Sequence, residues 1–194
     1  HQNSGSNANI SGGTVTIEGP GHDDYGTMWI DDGADFSLTG GSMQFIGDDT
    51  AEIVIEETDN ADFSFYNLTI GDGTNTKALS VSATSTINFD INNDFAISAN
   101  ATFDANGEPI TLAGDWTNNG TFTHNNNTVT LDHADTAAPN NTQTLRGDTT
   151  FYNLIKDCNT FSNAQELLFW ISTTMTIEGA TTLKGDSDDL LTLN

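Results

Sequence analysis

The sequence predicts an all-β fold in which short strands stack in parallel as a β-solenoid, with a β-sandwich or jelly roll as the alternative. Three observations carry this. Short runs of alternating apolar and polar residues fill the chain, hairpin dipeptides are scarce, and the phrase "FYNL" occurs twice, at 65–68 and 151–154.

The alternating runs come first because they define the strands. "GGTVTIEG", "GGSMQFIGD", "AEIVIEE", "ALSVSATSTINFDI", "NNTVTLD" and "TTMTIEG" each alternate for four to eight residues between Gly, Asn and Asp clusters. A period of two is the signature of a strand with one buried face, and helical spacing is nearly absent. The exception is "AQELLFWIS" at 164–172, where Leu167, Leu168, Phe169, Trp170 and Ile171 run together. Its shortness and Thr-rich flanks predict a buried strand. Only Asn106-Gly107 and Asn119-Gly120 are dipeptides of the Asn-Gly hairpin kind, too few for an up-and-down meander.

The repeated phrase extends to a longer register. Phe65 and Phe151 are separated by 86 residues, and the same offset carries Met43 onto Val129 and Phe45 onto Leu131. With one inserted residue near Ala34, Trp29 aligns with Trp116. This spacing exceeds any single hairpin, so each copy must hold several strands. The predicted organisation is an N-terminal arm or cap at 1–28, a first β unit at 29–114 and a second at 115–194, in one continuous elongated domain.

Strand parity gives "FYNL" a physical role. Leu68 shares a strand face with Ile70, and Leu154 shares one with Lys156, so Leu68 and Leu154 are predicted to point inward. Phe65 has the opposite parity to Leu68. Burial of both requires a switch of faces between them, which Asn67 or Asn153 would provide through a bulge or a left-handed corner.

Composition sets the setting. Hydrophobic residues make up 35% of the chain, below the apolar share of about 45–50% usual for a globular domain. That suits a thin apolar axis fed by each turn, and the periodic Phe, Ile and Val exclude disorder. There are 28 acidic residues against four basic ones, Lys77, Arg146, Lys156 and Lys184, for a net charge of −24. Nucleic acid and anionic membrane surfaces are therefore repelled. Clusters such as "GDDTAE", "GDGTN" and "GDSDD" offer Asp48, Asp49, Asp72, Asp186 and Asp188 as cation ligands. Carboxylates with turn carbonyls suit calcium, although no cluster matches a twelve-residue EF-hand loop.

Catalytic and targeting signals are sparse. His22, His124 and His133 have no metal-ligand spacing, and no nucleophile elbow, P-loop or dinucleotide fingerprint appears. Paired acids such as Asp31 with Asp32 sit in Gly-rich segments where solvation, not a shifted pKa, is expected. A non-enzyme is the expectation, with no catalytic residue and no cofactor other than calcium. Cys158 is the single cysteine, so no internal disulfide forms. The opening "HQNSGSNAN" lacks a basic start and an apolar run, so an exported chain would already have lost its signal, and no stretch reaches about 20 apolar residues.

The phrases "GDWTNNGTFTHNNNTVTLD" (114–132), "TTFYNLIK" (149–156), "TTMTIEGATTLKGDSDDLLTLN" (173–194) and "FYNLTIGDG" (65–73) resemble repeats of large secreted or cell-surface bacterial and archaeal proteins. The resemblance implies a right-handed parallel β-helix of the autotransporter and adhesin kind, and an extracellular location. The expected function is that of a structural surface protein, a stalk or filament subunit joining head to tail through open β ends. Its assembly residues would be Ile10, Val15, Ile17, Leu190, Leu191 and Leu193, and its partner a second copy of itself. The alternative is an adhesin module that binds a glycan or another cell surface.

Overall fold

Among the described residues the fold is built from 23 short strands taken in strict rotation by three faces. A computed structural model describes residues 7–8, 10–19, 27–31, 35–56, 63–83, 88–134, 139–185 and 190–194. The second face is one unbroken sheet of eight strands: Ser11–Glu18, Gly40–Ile46, Asn67–Ile70, Phe95–Ile97, Trp116–Asn118, Thr142–Arg146, Gln165–Phe169 and Leu191–Leu193. The third face runs through Met28–Ile30, Thr50–Ile55, Ala78–Ala83, Thr102–Asp104 and Thr121–Thr123. Thr149–Phe151 and Met175–Ile177 take the next two positions of that face as a short sheet of their own.

The first face starts with Asn7–Ala8, Asp35–Ser37 and Phe63–Ser64. A bridge between Phe65 and Ile91 leads it on to Phe89–Ile91, Ile110–Leu112, Thr128–Leu131, Asn153–Asp157 and Thr181–Lys184. Pairing along all three faces is parallel throughout, so the chain is a parallel β-solenoid and not a sandwich or jelly roll. Among the described residues there is no helix.

Alternation within strands becomes columns through the stack. Val15, Met43, Leu68, Phe95, Trp116, Leu145 and Phe169 stand in register, one above the next, along the second face. From Met43 to Leu145 every member of that column is buried. Aromatic rings knit the axis: Phe36, Phe63, Phe65, Phe89, Phe103, Phe95, Trp116 and Phe151 form a continuous series of contacts with centroids 4.8 to 5.9 Å apart. Edge-on and tilted geometries dominate, and each pair adds about 0.5–1.5 kcal/mol beyond its buried area.

Turn length is uneven. Neighbouring turns on the second face are offset by 21 residues between Asp94 and Asp115 and by 29 between Asp115 and Thr144. The "FYNL" copies show the consequence. Phe65 closes a first-face strand and Leu68 lies on the second face, whereas Phe151 lies on the third face and Leu154 on the first. Both leucines are fully buried, as their parity requires. The 86-residue offset thus carries a corner onto a corner of a different kind. The chain bends at Tyr66 and Tyr152. Asn67 and Asn153 already belong to the next strand and are not left-handed, so the switch of faces is made one residue earlier than the parity argument placed it.

What Asn67 contributes is its amide. Oδ1 accepts the N–H of Asp94 (3.1 Å) and the Nδ2 of Asn93 (2.8 Å), while Nδ2 donates to the Gly41 carbonyl (2.8 Å). The same device climbs the column. Asp94 Oδ1 accepts the N–H of Asp115 (2.9 Å), and Asp115 Oδ1 accepts the N–H of Thr144 (2.8 Å). The other corners use it too, with Thr174 N–H donating to Asp148 Oδ1 and Ala180 N–H to Asn153 Oδ1, both at 2.7 Å. A short Asx side chain thus supplies the acceptor where the backbone ladder is interrupted.

Asn67→Ala removes acceptors for two donors in the next turn and a donor to the previous one, and should cost about 2 kcal/mol in urea unfolding, each bond being worth about 0.5–1.5 kcal/mol. Gly147 has φ +82°, and a Cβ there would fall 1.7 Å from the Asn118 carbonyl oxygen. Gly73 shares that φ with nothing within 4 Å. Gly73→Ala should therefore cost only the left-handed penalty of about 1–2 kcal/mol, and Gly147→Ala clearly more.

Candidate functional site

The acidic candidates are built into the corners. Asp48 Oδ1 accepts the N–H of Thr76 at 2.7 Å. Asp49 meets the ammonium of Lys77, a fully buried side chain that also donates to the Gly19 carbonyl (3.3 Å). Asp72 folds its own loop, accepting the N–H groups of Asn75 and Thr74 (both 2.8 Å) and the Asn75 amide (3.0 Å). Those backbone bonds, Asn75 foremost, hold its carboxyl below the usual range. Asp48, Asp49 and Asp72 therefore already serve donors within the fold. Among the described residues no group of three His, Cys, Asp or Glu side chains forms a cage for a metal ion. Asp186 and Asp188 lie outside the described residues.

The candidate assembly residues occupy, or directly flank, the outermost strands of the second face. Ile10, Ile17 and Leu191 are half-buried against the core, while Val15, Leu190 and Leu193 are 38%, 61% and 51% exposed. Val15 stands in register with buried Met43, and Leu193 with buried Leu167. Each is an interior position with a neighbouring turn on one side only among the described residues. Among the described residues no further strand pairs with the outer edges of these two strands, which carry apolar side chains.

A concave site that strand periodicity did not indicate lies where the second face turns into the third. The strand at 165–169 ends at Phe169, and Trp170 and Ile171 are exposed rather than buried. The expected buried strand therefore stops two residues early, because a turn closes there: the Thr173 hydroxyl and N–H both donate to the Trp170 carbonyl (2.6 and 3.3 Å). This loop and the tight corner at Gly147-Asp148 frame a cleft of about 380 Å³, lined by Asn118, Asn119, Gly120, Gly147, Asp148, Ser172 and Thr173. Ser172 adopts φ 62°. The guanidinium carbon of Arg146 sits 4.3 Å from the centroid of the Trp170 ring, a cation–π contact. The apolar run at 167–171 was the visible signal, but its parity breaks only at the turn.

A second polar group is sealed inside the solenoid. Lys156 is fully buried, its Nζ donating to Gln143 Oε1 (2.9 Å), and Gln143 Nε2 donates in turn to the carbonyls of Leu112 (2.9 Å) and Gly114 (2.6 Å). Burial pushes the Lys156 ammonium below the ordinary lysine range, against the opposing pull of Cys158 and Asp132. Burial likewise raises the carboxyl of Asp132, helped by Asp90 beside it, and that of Asp90, which accepts the Thr111 hydroxyl.

A lysine with a lowered folded pKa loses its proton in the native state before it does in the unfolded chain. Between those two pKa values the unfolded state binds more protons, so stability rises with pH. The urea midpoint of the wild type, taken relative to Lys156→Met, should therefore climb as pH rises towards the ordinary lysine range. A pH-independent difference between the two proteins would refute the assignment.

Compared with protein-family models, with curated proteins and with solved structures, the chain finds no match. Its architecture, a parallel β-solenoid with a polar corner cleft on one flank, rests on the chain's own geometry.

Proposed function

We propose that the chain is a structural module of an extracellular surface protein of the autotransporter and adhesin kind, a stiff stalk or filament segment that joins end to end. The observation that supports this most is the unbroken eight-strand ladder of the second face. Seven steps of about 4.8 Å give a rod roughly 34 Å long on that face alone. Such a solenoid gains length by repetition, since each turn contacts only its neighbours. The apolar edges at Val15 and Leu193, each with one partner strand among the described residues, are suited to receive another turn, from a second copy of the chain or from a preceding or following segment. A head-to-tail contact of this kind is heterologous and propagates. The net charge of −24 keeps the flanks solvated and apart, leaving the ends as the surfaces of contact. An adhesin with a ligand on its flank is the second reading, favoured by the exposed ring of Trp170, two residues ahead of the Ser172 and Thr173 that line a polar cleft.

The test is sedimentation and negative-stain microscopy of the purified chain across protein and salt concentration. Rods longer than one module are expected, and more of them at high salt, where screening weakens repulsion between acidic copies. Val15→Lys combined with Leu193→Lys should abolish them while circular dichroism stays β-rich. A chain that remains monomeric at millimolar concentration in high salt, or a double variant that assembles like the wild type, overturns the reading.

A further inference from the structure

We infer that Asp49 and Lys77 join covalently, their side chains condensing to an isopeptide bond with loss of one water. The link needs no second copy of the chain, so it stands or falls apart from end-to-end assembly.

Register alone brings the pair together. Along the third face Thr50 pairs with Ala78 and Ala51 with Leu79 in parallel strands, and Ala51 and Leu79 are both buried. One step back in the same register stand Asp49 and Lys77, which share the parity of that inward pair. The Asp49 carbonyl accepts the Ala78 N–H (3.0 Å), so the ladder holds to this point. An aspartate and a lysine therefore face the interior side by side on neighbouring turns. The lysine side chain is fully buried, that of the aspartate is 20% exposed, and the ammonium meets Oδ1.

Three features favour condensation over a lasting ion pair. Contact between groups on fixed backbones is equivalent to a reactant concentration of about 10⁵–10⁸ M, which offsets the excess of water that otherwise drives hydrolysis. A buried ion pair carries the desolvation cost of two charges, whereas an amide is neutral. The product also fits its surroundings. Nζ already donates to the Gly19 carbonyl at 3.3 Å, so the one N–H that the amide keeps has its acceptor in place.

The step balances in atoms and charge. The ammonium passes a proton to the carboxylate and the amine nitrogen attacks Cγ. A C–N bond forms, a C–O bond breaks, and one Asp49 oxygen leaves as water with two of the three ammonium protons. A Cβ added at Gly47 would fall 3.4 Å from Asp49 Oδ2 and 3.6 Å from Glu18 Cγ, so the two acidic side chains border one space. Glu18 thereby supplies a second carboxyl group to relay protons to the departing oxygen. One positive and one negative charge vanish together, which leaves the net charge of −24 unchanged. Lys184 and Asp157 provide the contrast: they meet at 3.2 Å with side chains 57% and 40% exposed, and in water such a pair stays ionic.

The experiment is the intact mass of the denatured full chain. The wild type should be lighter than its sequence by one water, and after cleavage at glutamates the fragment 19–52 should stay joined to 58–108. Lys77→Arg and Asp49→Ala should each restore the full mass and separate the fragments, with circular dichroism showing that each variant folds. Glu18→Gln should delay the loss of water after cell-free synthesis roughly tenfold or more without changing its end point, and unchanged timing would overturn the relay. A wild type of full sequence mass overturns the link. So does a loss of water that persists in Lys77→Arg, the mark of a succinimide at a site such as Asp72-Gly73.

Discussion

Each turn of this solenoid must change direction three times without abandoning its hydrogen bonds to the turns above and below. Within the strands the parallel ladder satisfies every second peptide group in each direction automatically. At the corners it does not, and a buried or half-buried N–H left without an acceptor costs about as much as the bond it lost. Asn67, Asp94, Asp115, Asp148 and Asn153 solve this by offering a side-chain oxygen to the next turn. Part of the chain's acidity and Asn content follows from that requirement. The carboxylates that look like a solvated coat or a cation trap in the sequence are partly corner hardware.

Once the corners are held, the interior can be narrow. A continuous series of aromatic rings fills it, and the two places where a lysine enters are each sealed by a specific partner, Asp49 for Lys77 and Gln143 for Lys156. Replacing such groups by apolar residues of similar volume is often neutral or stabilising, whereas removing one partner alone leaves a buried charge unpaired. The solenoid therefore carries these polar contacts as fixed registers between turns, since Gln143 reaches back to Leu112 and Gly114 while receiving Lys156 from the adjacent face.

Much of this was legible in the sequence. Alternation located the strands, and parity placed Leu68, Leu154 and even Lys156 on inward faces, all of which are buried. The turn length was not legible, because offsets between 19 and 29 residues smear any fixed period. "FYNL" recurs since a bend after an aromatic, followed by an asparagine that bonds across turns, solves a local problem at any corner. Its 86-residue offset therefore records shared corner chemistry and not a whole number of turns. Trp170 escaped for a related reason. A strand period identifies what is buried within a strand, and the exposure of this ring is decided by a three-residue turn beyond its end.

Uneven turns also give the molecule a mechanical signature. A rod whose turns touch only their neighbours can be peeled from one end, each release freeing one turn of chain before the next is loaded. With about 3.4 Å per extended residue, turns of 21 and 29 residues would lengthen the tether by roughly 70 and 100 Å respectively. A stalk made of such segments would yield under tension in small graded steps, dissipating work at each, instead of failing in one catastrophic event. Short and long turns would be distinguishable in order along the pull, so the spacing of corners along the sequence could be read as a force trace.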